Sequence, residues 1–361
     1  MRWELTEEQG EIRDEFVGWL RHVAGAEDIR RWDDEGPAEF AAAFVEAGWS
    51  ALGVPEGEGG AGGGLLELAL LSEAMGAFGV PSSTWLAGAV AQPAIAGRGA
   101  LLAGMAEGAQ VAVAVPAGSA PDQVLRGRER LPSMEGGVLD GGVSLVLGVT
   151  HESRLVVPAV QGDAVLLALV EPGASGLELR DRALLDRTRR AADVSFGSTP
   201  AEALDVDAPA VLQQCALRAG VLVAADALGV SQRMLDLAVE YSGQREQFGQ
   251  PIGAFQAMKH AAATILVGVE AARSVVFPAA AAVDQGNDMA LAWASAAKAQ
   301  IGASGIAAAD SALTMHGAIG YTWEHDLHRH YKRAKLDATL FGTVEEWNER
   351  IAEMLDLVPS T

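Results

Sequence analysis

Cysteine is almost absent. Cys215 stands alone among 361 residues, which excludes an intrachain disulfide and any thiolate metal cluster. It falls in an apolar helical pattern, so a buried packing role is expected. Basic residues are scarce too: Lys and Arg total 26 against 48 Asp and Glu, a formal net charge of −22. So acidic a chain repels phosphate backbones and anionic lipid, and neither nucleic acid nor a membrane surface is an expected partner. Any anionic small molecule must meet a locally basic site. Long apolar runs are also lacking: Asp226 interrupts the best membrane-spanning candidate. The opening residues, Met1-Arg2-Trp3-Glu4-Leu5-Thr6-Glu7-Glu8, have no apolar stretch of signal-peptide type, so a cytoplasmic protein is expected. No internal repeat or low-complexity tail is found.

What is present is length enough for a large core and heavy use of Ala and Gly, which favours closely packed helices joined by flexible loops. Three regions follow from the hydrophobic period. Residues 1–108 read as helical, with Thr6 as an N-cap, Ile12, Phe16, Leu20 and Val23 on one face, a second helix from Phe40 to Trp49, and a third from Leu65 to Phe78. Residues 109–204 carry short β-rich runs at 111–115, 144–147, 154–157 and 164–170, separated by Gly, Pro and Asp, and predict a small antiparallel β domain. Residues 205–361 return to the helical period, with helices expected at 210–242, 254–284, 288–316 and 344–355. Long helices with short connections pack as antiparallel neighbours in a bundle. The fold class is α+β, mostly α.

Two stretches in the last region carry chemistry. The first is Arg245-Glu246-Gln247-Phe248-Gly249-Gln250-Pro251-Ile252-Gly253, followed by Phe255-Gln256. An Arg beside a glycine-bearing turn and a helix start is an anion site: the guanidinium grips phosphate bidentately and free N–H groups add to it. The bland alternative is an ordinary helical turn with a surface Arg. The second is His316-Gly317-Ala318-Ile319-Gly320-Tyr321, which runs into Trp323-Glu324-His325-Asp326-Leu327-His328-Arg329-His330-Tyr331-Lys332-Arg333. Spaced three apart, His325 and His328 would share a helix face, yet no recognised metal frame surrounds them. A solvated or interface helix is the expected reading of that stretch, and no metal is expected. His316, with helices on both sides, reads as structural.

Together these strings resemble the flavin-binding half of the acyl-CoA dehydrogenase family, and the order helices, β domain, helices extends the resemblance over the whole chain. It implies an N-terminal helical domain, a small middle β domain and a C-terminal four-helix bundle. It further implies FAD, shared across a subunit interface. Arg245, Gln247, Phe248 and Gln256 would touch the diphosphate and adenine end of a flavin held by the neighbouring subunit. Thr314, Gly317 and Ala318 would form the second loop. Two departures are visible: Ala318 replaces a second glycine, and Thr314, still able to donate a hydrogen bond, replaces a glutamine.

Other departures bear on catalysis. In the family the residue before the last Gly-Thr is the glutamate that removes the substrate α-proton; in Leu340-Phe341-Gly342-Thr343 it is Phe341. Phenylalanine takes no proton. The alternative family position for a base falls on Leu217, beside Arg218. Glu345 and Glu346 lie about one turn beyond Phe341 and read as an exposed acidic first helical turn. Leu145 and Leu147 occupy the Trp and Thr positions that hold the flavin ring, and no Thr-Glu-Pro-Gly-Ser loop is expected before them.

The Trp323 to Arg333 string resembles actinobacterial acyl-CoA dehydrogenases that act as α2β2 assemblies on steroid side chains. Asp186-Arg187-Thr188-Arg189-Arg190 resembles them as well, with a solvated basic turn as the alternative. The resemblance therefore implies a subunit that lacks the catalytic base and completes the FAD site of a glutamate-bearing paralogue. The acyl-CoA, a steroid-CoA among the candidates, would bind on that partner, and electron-transfer flavoprotein would be the acceptor. Two alternatives stay open: a stand-alone homomeric flavoenzyme with an unlocated base, and a flavin-free structural subunit.

Overall fold

The computed structural model describes residues 4–355. Six helices come first: α1 (Glu7–Val23), α2 (Ala26–Glu35), α3 (Ala38–Glu46), α4 (Leu65–Phe78), α5 (Ser83–Ala91) and α6 (Gly99–Ala106). Thr6 and Gln9 close a reciprocal capping box on α1. The expected helix from Phe40 to Trp49 stops at Glu46, because Gly48 turns left-handed (φ 80°) before a short 3₁₀ turn.

Eight strands form one curled sheet: β1 (Val111–Val113), β2 (Ser133–Glu135), β3 (Val138–Leu147), β4 (Arg154–Gln161), β5 (Ala164–Val170), β6 (Leu177–Arg182), β7 (Ala191–Pro200) and β8 (Glu202–Ala203). The order is β6-β7-β3-β2-β4-β5-β8, with β1 also on β4. The sheet is not purely antiparallel as expected. Both β1 and β2 pair parallel with β4, because the 3₁₀ segment Pro121–Arg130 separates them and the chain re-enters along the same edge.

Five helices follow: α7 (Ala208–Gln244), α8 (Gln256–Asp284), α9 (Ala290–His316), α10 (Leu327–Asp337) and α11 (Val344–Met354). The three long ones pack on one another, α10 lies against α7 and α9, and α11 against α9. By length and composition α7 and α8 are each apolar enough to cross a membrane, but in α7 that stretch is 78% buried inside the fold.

The main apolar core runs without a break from α4 and α5 through β1 and β5 into α7, α8 and α9. Its tightest seam is between α4 and α7. A Cβ on Gly229 would lie 1.8 Å from the Glu73 carbonyl oxygen, and one on Gly76 would lie 2.2 Å from that of Asp226. Backbones this close admit no side chain. Gly229→Ala is expected to destabilise the chain by about 2 kcal/mol, measured as a lower thermal midpoint.

Helix α10 corrects the solvated reading. Leu327, His328, Arg329, His330, Arg333, Ala334 and Asp337 are all buried. Arg333 grips Asp226 bidentately (2.8 and 2.6 Å) and donates to the Val80 carbonyl, Ser82 Oγ and Thr188 Oγ1. Arg189 joins Asp226 at 2.9 Å and Asp337 at 3.3 Å. Asp226, which breaks the apolar pattern of α7, is thus the centre of a buried ion network. The Asp186 to Arg190 turn is only half solvated: Asp186, Thr188 and Arg189 are buried within that network, while Arg187 pairs with Asp34 outside.

Candidate functional site

The first motif is a β-hairpin at the end of α7. Arg245 caps the helix, its N–H bonding the Tyr241 carbonyl at 2.8 Å and its own carbonyl accepting from Ile252 at 2.8 Å. Strands β9 (Glu246–Gln247) and β10 (Gln250–Pro251) pair across Phe248 and Gly249. Both tip residues have positive φ, 53° and 77°, as a tight primed turn requires. Glycine takes this conformation freely; phenylalanine is strained by about 1 kcal/mol. Phe248 is also 92% exposed, touching Phe255 edge-on at 6.1 Å. Arg245, Gln247 and Gln256 are exposed beside it, and Gln247 Nε2 donates to the Glu246 carbonyl. Among the described residues, the Arg245 guanidinium has no ion pair.

The second motif follows α9. Gly317 has φ 63°, and a Cβ there would meet nothing within 4 Å, so its backbone faces open space. Ala318 is exposed next to it, and so is Thr314. The Thr314 hydroxyl donates to the Asp310 carbonyl one turn back (2.8 Å), so its single proton is already used and only its lone pairs remain.

Phe341 lies deeper. It is buried, left-handed (φ 53°), and held at both ends of its peptide unit. Its N–H donates to the Ala117 carbonyl at 2.7 Å, and its carbonyl accepts from Trp347 Nε1 at 3.0 Å. Lys298, fully buried, donates to the carbonyls of Asp337, Ala338 and Gly342 at 2.8, 3.3 and 3.1 Å. Burial pushes its pKa down to about 8. Sequence reasoning missed this lysine, which sits unremarkably in the Ala-rich period of α9. Glu346 reaches back to the Thr343 N–H (2.7 Å) while Thr343 Oγ1 accepts from the Glu346 N–H. Glu346 is thus a capping residue of α11, and Glu345 is exposed.

Phe341, Leu217 and Leu147 belong to the same core, with Leu145 packed against it. Arg218 donates to the Ala89 carbonyl (2.8 Å) and to Gln92 Oε1. A Pro-Ala-Gly-Ser turn precedes the Leu145 region. Val115-Pro116-Ala117-Gly118-Ser119 follows β1, and Ala117 bridges Leu145 (N–H to carbonyl, 2.8 Å) and Phe341. It lacks the Thr-Glu of the family loop. Its place was hidden because it lies far ahead of Leu145 in the chain and meets it only through the sheet.

The model of the acyl-CoA dehydrogenase N-terminal domain matches residues 6–100, and that of the acyl-CoA dehydrogenase C-terminal domain matches residues 210–355. The chain belongs to the acyl-CoA dehydrogenase family. Acyl-CoA dehydrogenase IpdE2 of Mycolicibacterium smegmatis is 32% identical over 96% of this chain and 98% of its own. Among solved structures, the Tcur3481-Tcur3483 steroid ACAD (G363A variant) is 26% identical, with a TM-score of 0.84 over 96% of this chain and 97% of that one. The ChsE4-ChsE5 complex from Mycobacterium tuberculosis shares the fold, with a TM-score of 0.83 at 23% identity over the full length of both chains.

Within this family member the described histidines do not make a metal frame. His325 lies before α10 and stands edge-on to His316 at 4.7 Å, whereas His328 faces Trp323. The two therefore do not share a helix face. Burial and the adjacent Lys332 push His328 down to about 4, so it is neutral at neutral pH. Among the described residues no group of three metal-ligating side chains stands together. Cys215 is buried and its thiol is pushed up to about 12 by burial.

Proposed function

We propose that this chain is the subunit lacking a catalytic base in a heteromeric FAD-dependent acyl-CoA dehydrogenase, paired in an α2β2 tetramer with a glutamate-bearing paralogue. The observation that carries the reading is Phe341: an apolar side chain, buried in the core at the position the family gives to its carboxylate. In α,β-dehydrogenation a carboxylate takes the proton from Cα while bound FAD accepts hydride from Cβ. Neither Phe341 nor Leu217 takes a proton, and Glu346 is committed to its cap.

The fit to FAD divides in two. The phosphate and adenine end suits this chain: Arg245 offers an unpaired guanidinium, Phe248 an exposed ring, and Gly317 a backbone open to close approach. Gln247, Gln256, Thr314 and Ala318 line the same exposed end. The ring end does not suit it, because Leu145 and Leu147 present no hydrogen-bonding side chain. Such a chain lends the nucleotide grip to a flavin whose ring another subunit holds.

An uncovered face supports a partner. The apolar stretch of α8 is only 44% buried, against 78% for α7, and Leu266 and Val267 stand exposed on it. Likeness to a steroid ACAD supports a steroid-type acyl-CoA as the substrate on the partner, and family membership supports electron-transfer flavoprotein as acceptor.

The test is the flavin-to-chain ratio, from absorbance and mass. No flavin is expected on this chain alone, and about one per two chains in the complex, as an α2β2 assembly with two sites requires. About one flavin per chain without a partner would overturn the proposal in favour of a homomeric flavoenzyme. Phe341→Glu is expected to add no dehydrogenase activity to this chain, since the ring-holding side chains are missing as well. Turnover gained by that single change would show the ring site to be intact.

A further inference from the structure

Three rings join the C-terminal turns of α7 and α9. Tyr241 and His316 stack with centroids 4.7 Å apart and planes 19° from parallel. His325 stands edge-on to His316 at 4.7 Å and to Tyr241 at 6.4 Å. Tyr241 lies one turn before Arg245 and accepts that residue's N–H. His316 is the last residue of α9, and Gly317 follows it directly. His325 Nδ1 accepts from the Leu327 N–H at 3.2 Å, which ties the cluster to the first turn of α10.

His316 is tied to both helices. His316 is buried, and its Nδ1 lies 2.8 Å from the Ala312 carbonyl of its own helix. A backbone hydrogen bond to Leu237 of α7 adds to it. The hairpin is exposed from Arg245 to Pro251 and the Gly317 turn has open space around it. The stacked rings join the two helix ends directly beneath these loops.

We propose that the Tyr241–His316–His325 cluster is a positioning element that sets the separation of the two loops gripping the phosphate and adenine end of the flavin. The inference rests on the cofactor reading above. A grip from two sides on one nucleotide depends on sub-ångström placement, so the rings govern how long the flavin stays without touching it.

The test uses the complex with its glutamate-bearing partner and follows FAD release by recovery of flavin fluorescence after dilution, beside complex mass and thermal midpoint. Tyr241→Ala and His316→Ala are expected to release FAD at least about tenfold faster. Tyr241→Phe and His316→Phe, which keep a ring, should stay within about twofold of the parent. Tyr241→Leu fills the volume without a ring and should behave like Tyr241→Ala, which covers the case of an alanine variant that does not assemble. Leu86→Ala, a core change on α5 remote from the loops, should lower the midpoint and leave release unchanged. Unchanged release in Tyr241→Leu, or equal acceleration in Leu86→Ala, overturns the inference. The cofactor reading fails separately, if Arg245→Ala leaves release unaltered.

Discussion

In the assembled complex, Arg245→Ala is expected to strip flavin while leaving the subunits together. The guanidinium stands exposed at the cap of α7 with no ion pair among the described residues, so its removal leaves no buried charge behind and disturbs no packing. What it removes is a charge-assisted grip on phosphate, worth about 1.5–3 kcal/mol, or roughly ten- to hundredfold in FAD affinity. A lysine in its place restores charge without the planar fork, so Arg245→Lys should recover only part of the loss. Titration of apo-complex with FAD, read by flavin fluorescence, decides the matter. Equal affinity in parent and Arg245→Ala would remove this chain from the cofactor site.

Asp226→Asn is expected to be the most damaging single substitution for stability, by about 3–5 kcal/mol, because it leaves Arg333 and Arg189 facing each other in the interior with a partner removed. Asp337→Asn should cost far less. Burial pushes the Asp226 carboxyl up, but Arg189 and Arg333 outweigh that and hold it at about 2. Burial and the Asp226 charge instead push Asp337 well above its ordinary 3.8, so its charged form is disfavoured in the fold and an amide costs less there.

The two carboxyls therefore pull stability in opposite directions with pH. The depressed Asp226 contributes stability that is complete above its ordinary 3.8 and is lost as pH falls toward about 2. The raised Asp337 binds a proton in the folded state that the unfolded chain has released. Stability therefore falls as pH rises from 3.8 through its elevated pKa. Urea midpoints measured across pH should show Asp337→Asn gaining on the parent as pH rises. A parallel pair of curves would mean that Asp337 is ionised in the fold.

Much of the architecture is legible in the sequence. Helix α4 is found at its expected bounds because Gly64 and Gly79 flank a mostly apolar run, and α7, α8 and α9 are found within a few residues. The two glycine-bearing loops stand out because their residue types serve no obvious packing end. The solvated alternative for helix α10 fails because a sequence shows only local neighbours. Its arginines look solvated beside their neighbours in sequence, and their partners, Asp226, Ser82 and Thr188, come from three distant segments. The mixed sheet escapes for the same reason: β1 and β2 are too short to show a period, and only β4 decides their direction. Phe341 shows the converse. Its identity is plain in the chain, but its left-handed backbone and its tether to Ala117 belong to the fold alone.

The touching backbones at Gly76 and Gly229 limit how this molecule can move. Two helices in contact at main-chain level cannot rock or slide past each other without first parting, and the core they share continues into the sheet and the bundle. No plane is left between α4 and α7 along which these two could swing apart. The chain should melt in a single step, its slowest-exchanging amides shared between α4 and α7. Any opening of this chain must then come from its loops, not from a hinge between α4 and α7.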